Sequence, residues 1–193
     1  KQLLTLNVWL NSNNRRLPSY NYQSESKTYQ EDKAMRYTGN WTYVQGNFRS
    51  VIKAAYFRDV INYDDSLLAL YSKSKVSTAM IENENYVDWL KNQKLNFSFS
   101  YSNSEAMSDN YSGNRSLSRT SVVLGNKSLL WKGKLNTYVS VRAEYFSVGT
   151  LPVTGNASLD YKLTKHIGAK LNAARVYRQP TLNELYWLRG GNT

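Results

Sequence analysis

The sequence predicts an all-β protein, an antiparallel transmembrane β-barrel segment of about nine strands. Three observations point there. Five stretches alternate apolar and polar side chains over barrel-wall lengths, most clearly Leu95-Asn96-Phe97-Ser98-Phe99-Ser100-Tyr101-Ser102. Short polar turns near residues 46, 90, 132 and 165 take turns with longer connections. Hairpin repeats of about 33 to 44 residues, with charges on the polar faces, are longer than the beat of a soluble β-sandwich, the competing all-β architecture. A side-chain period of two puts neighbours on opposite faces, so each stretch is a strand with one apolar and one polar face.

The first strand is expected from about Leu3 to Leu10, with Leu4, Leu6, Val8 and Leu10 on one face. A long polar segment, Asn11 to Asp32, follows. The second strand, about Ala34 to Val44, sets Tyr37, Gly39, Trp41 and Tyr43 against Arg36, Thr38, Asn40 and Thr42. Gln45-Gly46-Asn47 is a tight turn of the kind that joins antiparallel strands. The third strand, about Phe48 to Val60, opposes Phe48, Ile52, Ala54 and Tyr56 to Arg49 and Lys53, and a loop follows near Asn62-Tyr63-Asp64-Asp65. The fourth lies within Tyr71 to Glu84, with blurred alternation, and Val87 to Asn92 turns the chain back. After the fifth strand, a Ser-, Asn- and Asp-rich loop spans Asn103 to Arg115 and holds Tyr111.

The sixth strand is expected over Leu117 to Leu130, with Trp131-Lys132-Gly133 as a short turn. The seventh, Leu135 to Ser147, sets Leu135, Val139, Val141, Ala143 and Tyr145 against Asn136, Ser140, Arg142 and Glu144. Val148 to Thr154 is a loop. The eighth sets Ala157, Leu159, Tyr161 and Leu163 against Asn156, Ser158, Asp160 and Lys162. Thr164-Lys165-His166 turns again. The ninth sets Ile167, Ala169, Leu171 and Ala173 against Lys170 and Asn172, and a final loop opens at Arg178. In an outer-membrane barrel the short turns face the periplasm and the long loops face outward. Trp89 and Trp131, beside short turns, would join the inner aromatic girdle.

Several function classes drop out. The chain has no cysteine, which removes disulfides, thiolate zinc sites and a cysteine nucleophile. Its single histidine, His166, reads as a solvated turn residue and cannot build a two-histidine metal site. No metal site, cofactor or catalytic residue is expected. Gly125-Asn126-Lys127-Ser128 lacks the Gly-Lys-Ser core of a phosphate-binding loop. The formal net charge of +11 raises nucleic acid as a partner. The basic residues are scattered, though, several flanking short turns and others falling on polar strand faces, so no nucleic-acid partner is expected. Mean hydropathy is −0.60. Strands hide from that average, because only every second residue would face lipid.

One stretch carries a resemblance. Leu171-Asn172-Ala173-Ala174-Arg175-Val176-Tyr177-Arg178-Gln179-Pro180-Thr181-Leu182-Asn183-Glu184-Leu185-Tyr186-Trp187, then Gly190-Gly191-Asn192, resembles a segment of the TonB-dependent outer-membrane receptors. In them an outward strand ends in aromatic-Arg-x-Pro-Thr-x-x-Glu-Leu-Tyr, followed by a Gly-Asn-Pro-type turn. The match covers about twenty residues. Elsewhere only the strand-and-loop rhythm agrees, with Arg16-Leu17-Pro18 as a faint echo. The resemblance implies a barrel of about 22 strands around a plug. It implies uptake of a scarce large nutrient, driven by the TonB energy-transducing complex, from the bacterial outer membrane. Residues 1–193 would then be an interior part of one barrel domain, with the plug domain and the C-terminal strands outside it. Within the family the stretch is most similar to cobalamin receptors of the Bacteroidetes type, which implies a corrinoid ligand and a surface lipoprotein partner. A ferric-siderophore receptor of the same family and a passive porin are the competing functions. The calcium-binding aspartates of cobalamin receptors are not assigned to Asp64 and Asp65.

Five residues are candidates for ligand contact in outward loops: Tyr111, Arg178, Asn183, Tyr186 and Trp187. Aromatics offer contact area at little entropic cost. Each also has a plainer role. Pro180 ends a strand because it cannot donate to the ladder. Leu182, Leu185 and Tyr186 suit a short helical turn packed under the loop, and Arg178 suits a salt bridge to a plug or lumen carboxylate.

Overall fold

The structure, a computed structural model, describes residues 1–18 and 27–187. Nine strands follow one another as an antiparallel meander: β1 (Gln2–Arg16), β2 (Thr28–Gln45), β3 (Phe48–Asp65), β4 (Leu70–Leu90), β5 (Gln93–Ser108), β6 (Arg115–Leu130), β7 (Leu135–Phe146), β9 (Thr154–Lys162) and β10 (Gly168–Arg175). The two-residue β8 (Gly149–Thr150) pairs with the end of β7 and lies off this path. A 3-10 turn, Trp131–Gly133, joins β6 to β7, and one helix, α1 (Leu182–Tyr186), follows β10. Among the described residues β1 and β10 do not pair with each other, so the sheet is open.

Cross-strand register gathers the alternating residues into two faces. On one face Val8 lies opposite Tyr37, Tyr37 opposite Tyr56, and Leu6–Gly39–Ala54–Ile81–Tyr101 form the next row. Phe99–Val122–Ala143 and Phe97–Leu124–Val141 continue it, and Leu159–Leu171 and Ala157–Ala173 finish it. These side chains are not covered: Phe99 is 48% exposed and Leu124 55%. The opposite face carries the hydroxyls and charges. Ser100 bonds Ser121 at 2.6 Å, Thr78 bonds Ser104 at 2.9 Å, and Lys53 reaches Glu84 at 2.6 Å. The fifth strand is therefore two-faced as its sequence predicts, with Phe97 and Phe99 on the apolar side and Ser98 and Ser100 on the other.

The blurred fourth strand has a local cause. Asn83 and Asn85 fall in the apolar-face register, opposite Phe99 and Phe97. They satisfy each other instead of water: Asn85 Nδ2 donates to Asn83 Oδ1 at 2.5 Å, and Asn83 Nδ2 donates to Ser50 Oγ at 3.1 Å. A buried amide must find such partners.

Several connections expected as loops are strand. Residues 11–16 and 28–32 extend β1 and β2 into the polar segment expected over 11–32; its residues 19–26 lie outside the description, as do Gly190, Gly191 and Asn192. Asn62–Asp65 belongs to β3, Val87–Leu90 to β4 and Asn103–Ser108 to β5. The backbone ladder runs on where apolar–polar alternation lapses, so the pattern stops signalling a strand that hydrogen bonding still maintains. The β3–β4 connection shrinks to Ser66–Ala69, where Asp65 Oδ1 accepts from the Leu67 and Leu68 amides at 3.1 and 3.2 Å. Short turns stand at 46–47, 91–92, 131–134 and 163–167, with Gly46 at φ +56° and Asn92 at φ +66°. His166 lies in the last of these, its amide bonded to Thr164 Oγ1.

Strand spacing leaves no room at one glycine. A Cβ at Gly155 would lie 2.6 Å from the Ser140 backbone oxygen, whereas one at Gly168 would meet Tyr161 O at 3.4 Å. Gly155→Ala should cost about 1–3 kcal/mol, as overpacking does, and Gly168→Ala less than about 1 kcal/mol. Urea unfolding of the complete protein in detergent measures both; equal costs would show that β7 and β9 can separate at this point.

Candidate functional site

The site forms where the chain after β10 folds back over the polar face of β6. β10 ends at Arg175, ahead of Pro180, so the proline is not what ends the strand; lacking an amide donor, it stands just before the first turn of α1. Thr181 then opens α1 with a capping box: its Oγ1 accepts from Glu184 N at 3.3 Å, and Glu184 Oε2 accepts from Thr181 N at 2.7 Å. Arg178 donates to the same Glu184 carboxylate. Arg178 thus pairs within its own segment, not with a carboxylate of the polar face. The cap sets the direction of α1, and α1 meets β6.

The β5–β6 connection supplies the other half. Ser108 Oγ accepts from the Asn110 amide at 3.3 Å, and Ser108 O accepts from Tyr111 N at 3.0 Å, which tucks the tyrosine in to 8% exposure. Tyr111 Oη donates to Asn183 Oδ1. Its ring stands edge-on to Tyr186 at 6.5 Å and to Trp187 at 6.3 Å. Aromatic pairs favour such edge-to-face geometry. Burial pushes the Tyr111 phenol up, so the hydroxyl stays a donor at neutral pH.

Of the five candidates, Tyr111, Asn183, Tyr186 and Trp187 come together as one cluster, and Arg178 braces the turn that presents three of them. The plainer role also holds: Leu182–Tyr186 is the short helical turn. Arg115 was missed. Its guanidinium lies 4.9 Å from the Tyr186 ring centroid, within cation–π range. The alternation of β6 puts Arg115 on the polar face with Leu117 and Arg119, but nothing in the sequence ties it to a ring beyond β10.

A cavity of about 330 Å³ opens on the polar face, walled by Arg119, Arg142, Glu144, Asn156 and Tyr177. Glu144 is shared by two guanidiniums; Arg119 Nε lies at 3.1 Å and Arg142 Nε at 2.5 Å. Arg142 Nη2 also donates to Ser121 Oγ at 3.2 Å. The arrangement offers aromatic faces, an amide and fixed cations to a solute. Among the described residues no three metal-ligating side chains converge, and no helix is long and apolar enough to cross a membrane. No protein-family model matches the chain, and no curated protein is significantly similar to it.

The cap carries a pH dependence. Hydrogen bonding from the Thr181 backbone, then from Arg178, holds the Glu184 carboxyl below its ordinary value of 4.5. A lowered folded-state pKa contributes stability that is complete above the ordinary value and is lost as pH falls through the lower one. Protection of the Leu185 and Trp187 amides, which bond Thr181 O and Asn183 O, should hold from neutrality to about pH 5 and fail only in stronger acid. Glu184→Gln should abolish that acid step in hydrogen exchange corrected for intrinsic rates. Loss of protection above pH 5 would place control in another group.

Proposed function

We propose that this sheet is part of the wall of a TonB-dependent outer-membrane receptor that takes up a scarce large nutrient, a corrinoid. The observation that carries the reading is where the Arg178-x-Pro180-Thr181-x-x-Glu184-Leu185-Tyr186 stretch lies. It folds as a capped turn onto the polar face, at the end of the sheet where the longer connections gather, against the Tyr111 loop. That is the mouth a receptor of this class would present to solute.

The two faces support a membrane setting. An uncovered apolar face running across nine strands exceeds what a monomeric soluble protein leaves in water. Strands of 8 to 21 residues supply the 9–11 that cross a bilayer where they are long enough, and extend past it elsewhere. Lipid against Phe97, Phe99, Val122 and Leu124 would remove the cost of their exposure, and the polar face would line the lumen. The open edges of β1 and β10 would pair with further strands, since hydrocarbon does not tolerate unpaired backbone. Uptake needs no covalent chemistry in this wall. Aromatics at the mouth contribute binding, and work delivered through a plug contributes movement.

Lipid exposure is tested by charge. Phe99→Arg should cost about 2–4 kcal/mol of barrel stability in a lipid refolding titration if it lies near the midplane, and Ser98→Arg far less. Equal costs would reject the membrane-facing assignment of the apolar side.

The ligand is tested in cells and by binding. A strain lacking the protein should fail on limiting cobalamin and grow on limiting iron; the reverse would move the assignment to a ferric siderophore. Replacing Tyr186 and Trp187 together with alanine should weaken corrinoid binding about tenfold or more, because lost aromatic contacts of this kind sum to more than about 1.4 kcal/mol. Unchanged affinity would reduce the pair to loop packing. Steady ion conductance through the purified protein without a plug would favour a passive porin.

A further inference from the structure

A second concavity lies on the polar face at the opposite end of the sheet, beside the short turns. Its volume is about 730 Å³, within the range of small-molecule sites. Five lysines wall it: Lys91, Lys94, Lys127, Lys134 and Lys162. The folded register forces them together. Lys94 lies directly opposite Lys127 across β5 and β6. Lys162 N bonds Lys134 O at 2.9 Å, which sets those two residues side by side across β7 and β9. Like charges opposed across a sheet are destabilising, so two such juxtapositions around one cavity call for a counter-charge.

The acids among the described residues do not supply enough. Asp88 pairs with Lys94 at 3.2 Å, and Asp160 pairs with Lys170 at 3.4 Å. Among the described residues Lys91, Lys127, Lys134 and Lys162 make no ion pair. We propose that this lysine basin is a binding site for a small polyvalent anion of the phosphate class, such as a phosphorylated metabolite. Lysines act as rotatable point charges and suit phosphate oxygens without a planar fork. Charge density favours phosphate over an acidic peptide. Carboxylates on one side of an extended chain stand about 7 Å apart, whereas linked phosphates place several charges within one compact cavity. Leu90 and Leu129 give the basin an apolar margin for the organic part of such a ligand. The site stands apart from the aromatic cluster, and its occupancy does not depend on the corrinoid reading.

The experiment is calorimetric titration of the complete protein in detergent with tripolyphosphate at low salt. Saturable binding is expected, weakening steeply as salt screens the lysines. Lys127→Gln with Lys162→Gln should weaken it at least about tenfold. Lys127→Arg with Lys162→Arg should keep it, which separates loss of charge from loss of fold. Lys33→Gln, at the far end and paired with Glu31, should leave it unchanged. No saturable binding tighter than ~1 mM, or binding that survives the double glutamine variant, would overturn the proposal. Tighter binding of a poly-glutamate peptide than of tripolyphosphate would also overturn it, assigning the basin to an acidic polypeptide.

Discussion

Register is the constraint on which everything else in this sheet rests. Each of the eight hairpin-neighbour ladders along the meander sets like face against like face. A slip of one residue in any of them would carry a strand's apolar set onto the charged side. Tyr37 opposite Tyr56, Phe97 opposite Leu124 and Leu159 opposite Leu171 are paired by that rule. So are Lys53 between Glu82 and Glu84, and Glu144 between two arginines. The aromatic cluster and the lysine basin are both products of register, since neither set of residues is contiguous in the chain.

The sheet has little conventional core. Among the described residues only Val51, Ala106, Tyr111, Leu117 and Phe146 are buried hydrophobics. Ala106, Leu117 and Phe146 all lie on the polar face, near the end where α1 folds in. Cohesion comes from the backbone ladders and from polar-face side chains that bond across strands. Ion pairs that are half exposed, such as Arg15 with Asp32, add less than about 1 kcal/mol each. Glu144 differs, because its carboxylate is 9% exposed and removing both arginines would leave a poorly solvated, unpaired charge.

How much of this was legible in the sequence depended on whether a side chain's environment or the backbone alone made the strand. Strict alternation in 95–102, 135–146 and 156–162 gave the faces correctly, because one side of the sheet is apolar and the other carries the hydroxyls and charges. Residues 62–65 and 103–108 read as loops because Asn, Asp, Ser and Glu dominate them and the alternation lapses, yet their backbone stays in the ladder. Met80 and Asn83 obscured β4 by placing an apolar residue on the polar face and an amide on the apolar one. At the site, the short helical turn was expected, while its Thr181–Glu184 capping box emerged only from the fold. The Tyr111–Asn183 bond was not expected, because nothing local specifies which distant loop meets the turn. Arg115 escaped for the same reason. In the sequence the lysines stand as scattered local pairs, several beside short turns; the pairing of Lys94 with Lys127 across β5 and β6 is what makes them a group.

Strand length falls from 21 residues in β4 to 8 in β10, so the sheet is tallest near β4 and lowest at its β10 edge. At about 3.3 Å per residue, β4 spans roughly 70 Å and β10 roughly 26 Å. The two regions answer force differently. Tension on the β3–β4 hairpin loads many ladder bonds in shear at once, so that region is stiff. Tension on residues 176–187 meets the Arg178–Glu184 bridge, the Thr181 cap, the Tyr111 contacts and the Arg115–Tyr186 contact, which would peel one after another. The compliant element of this sheet is therefore the segment that carries the aromatic cluster, and it is hinged where the wall is lowest.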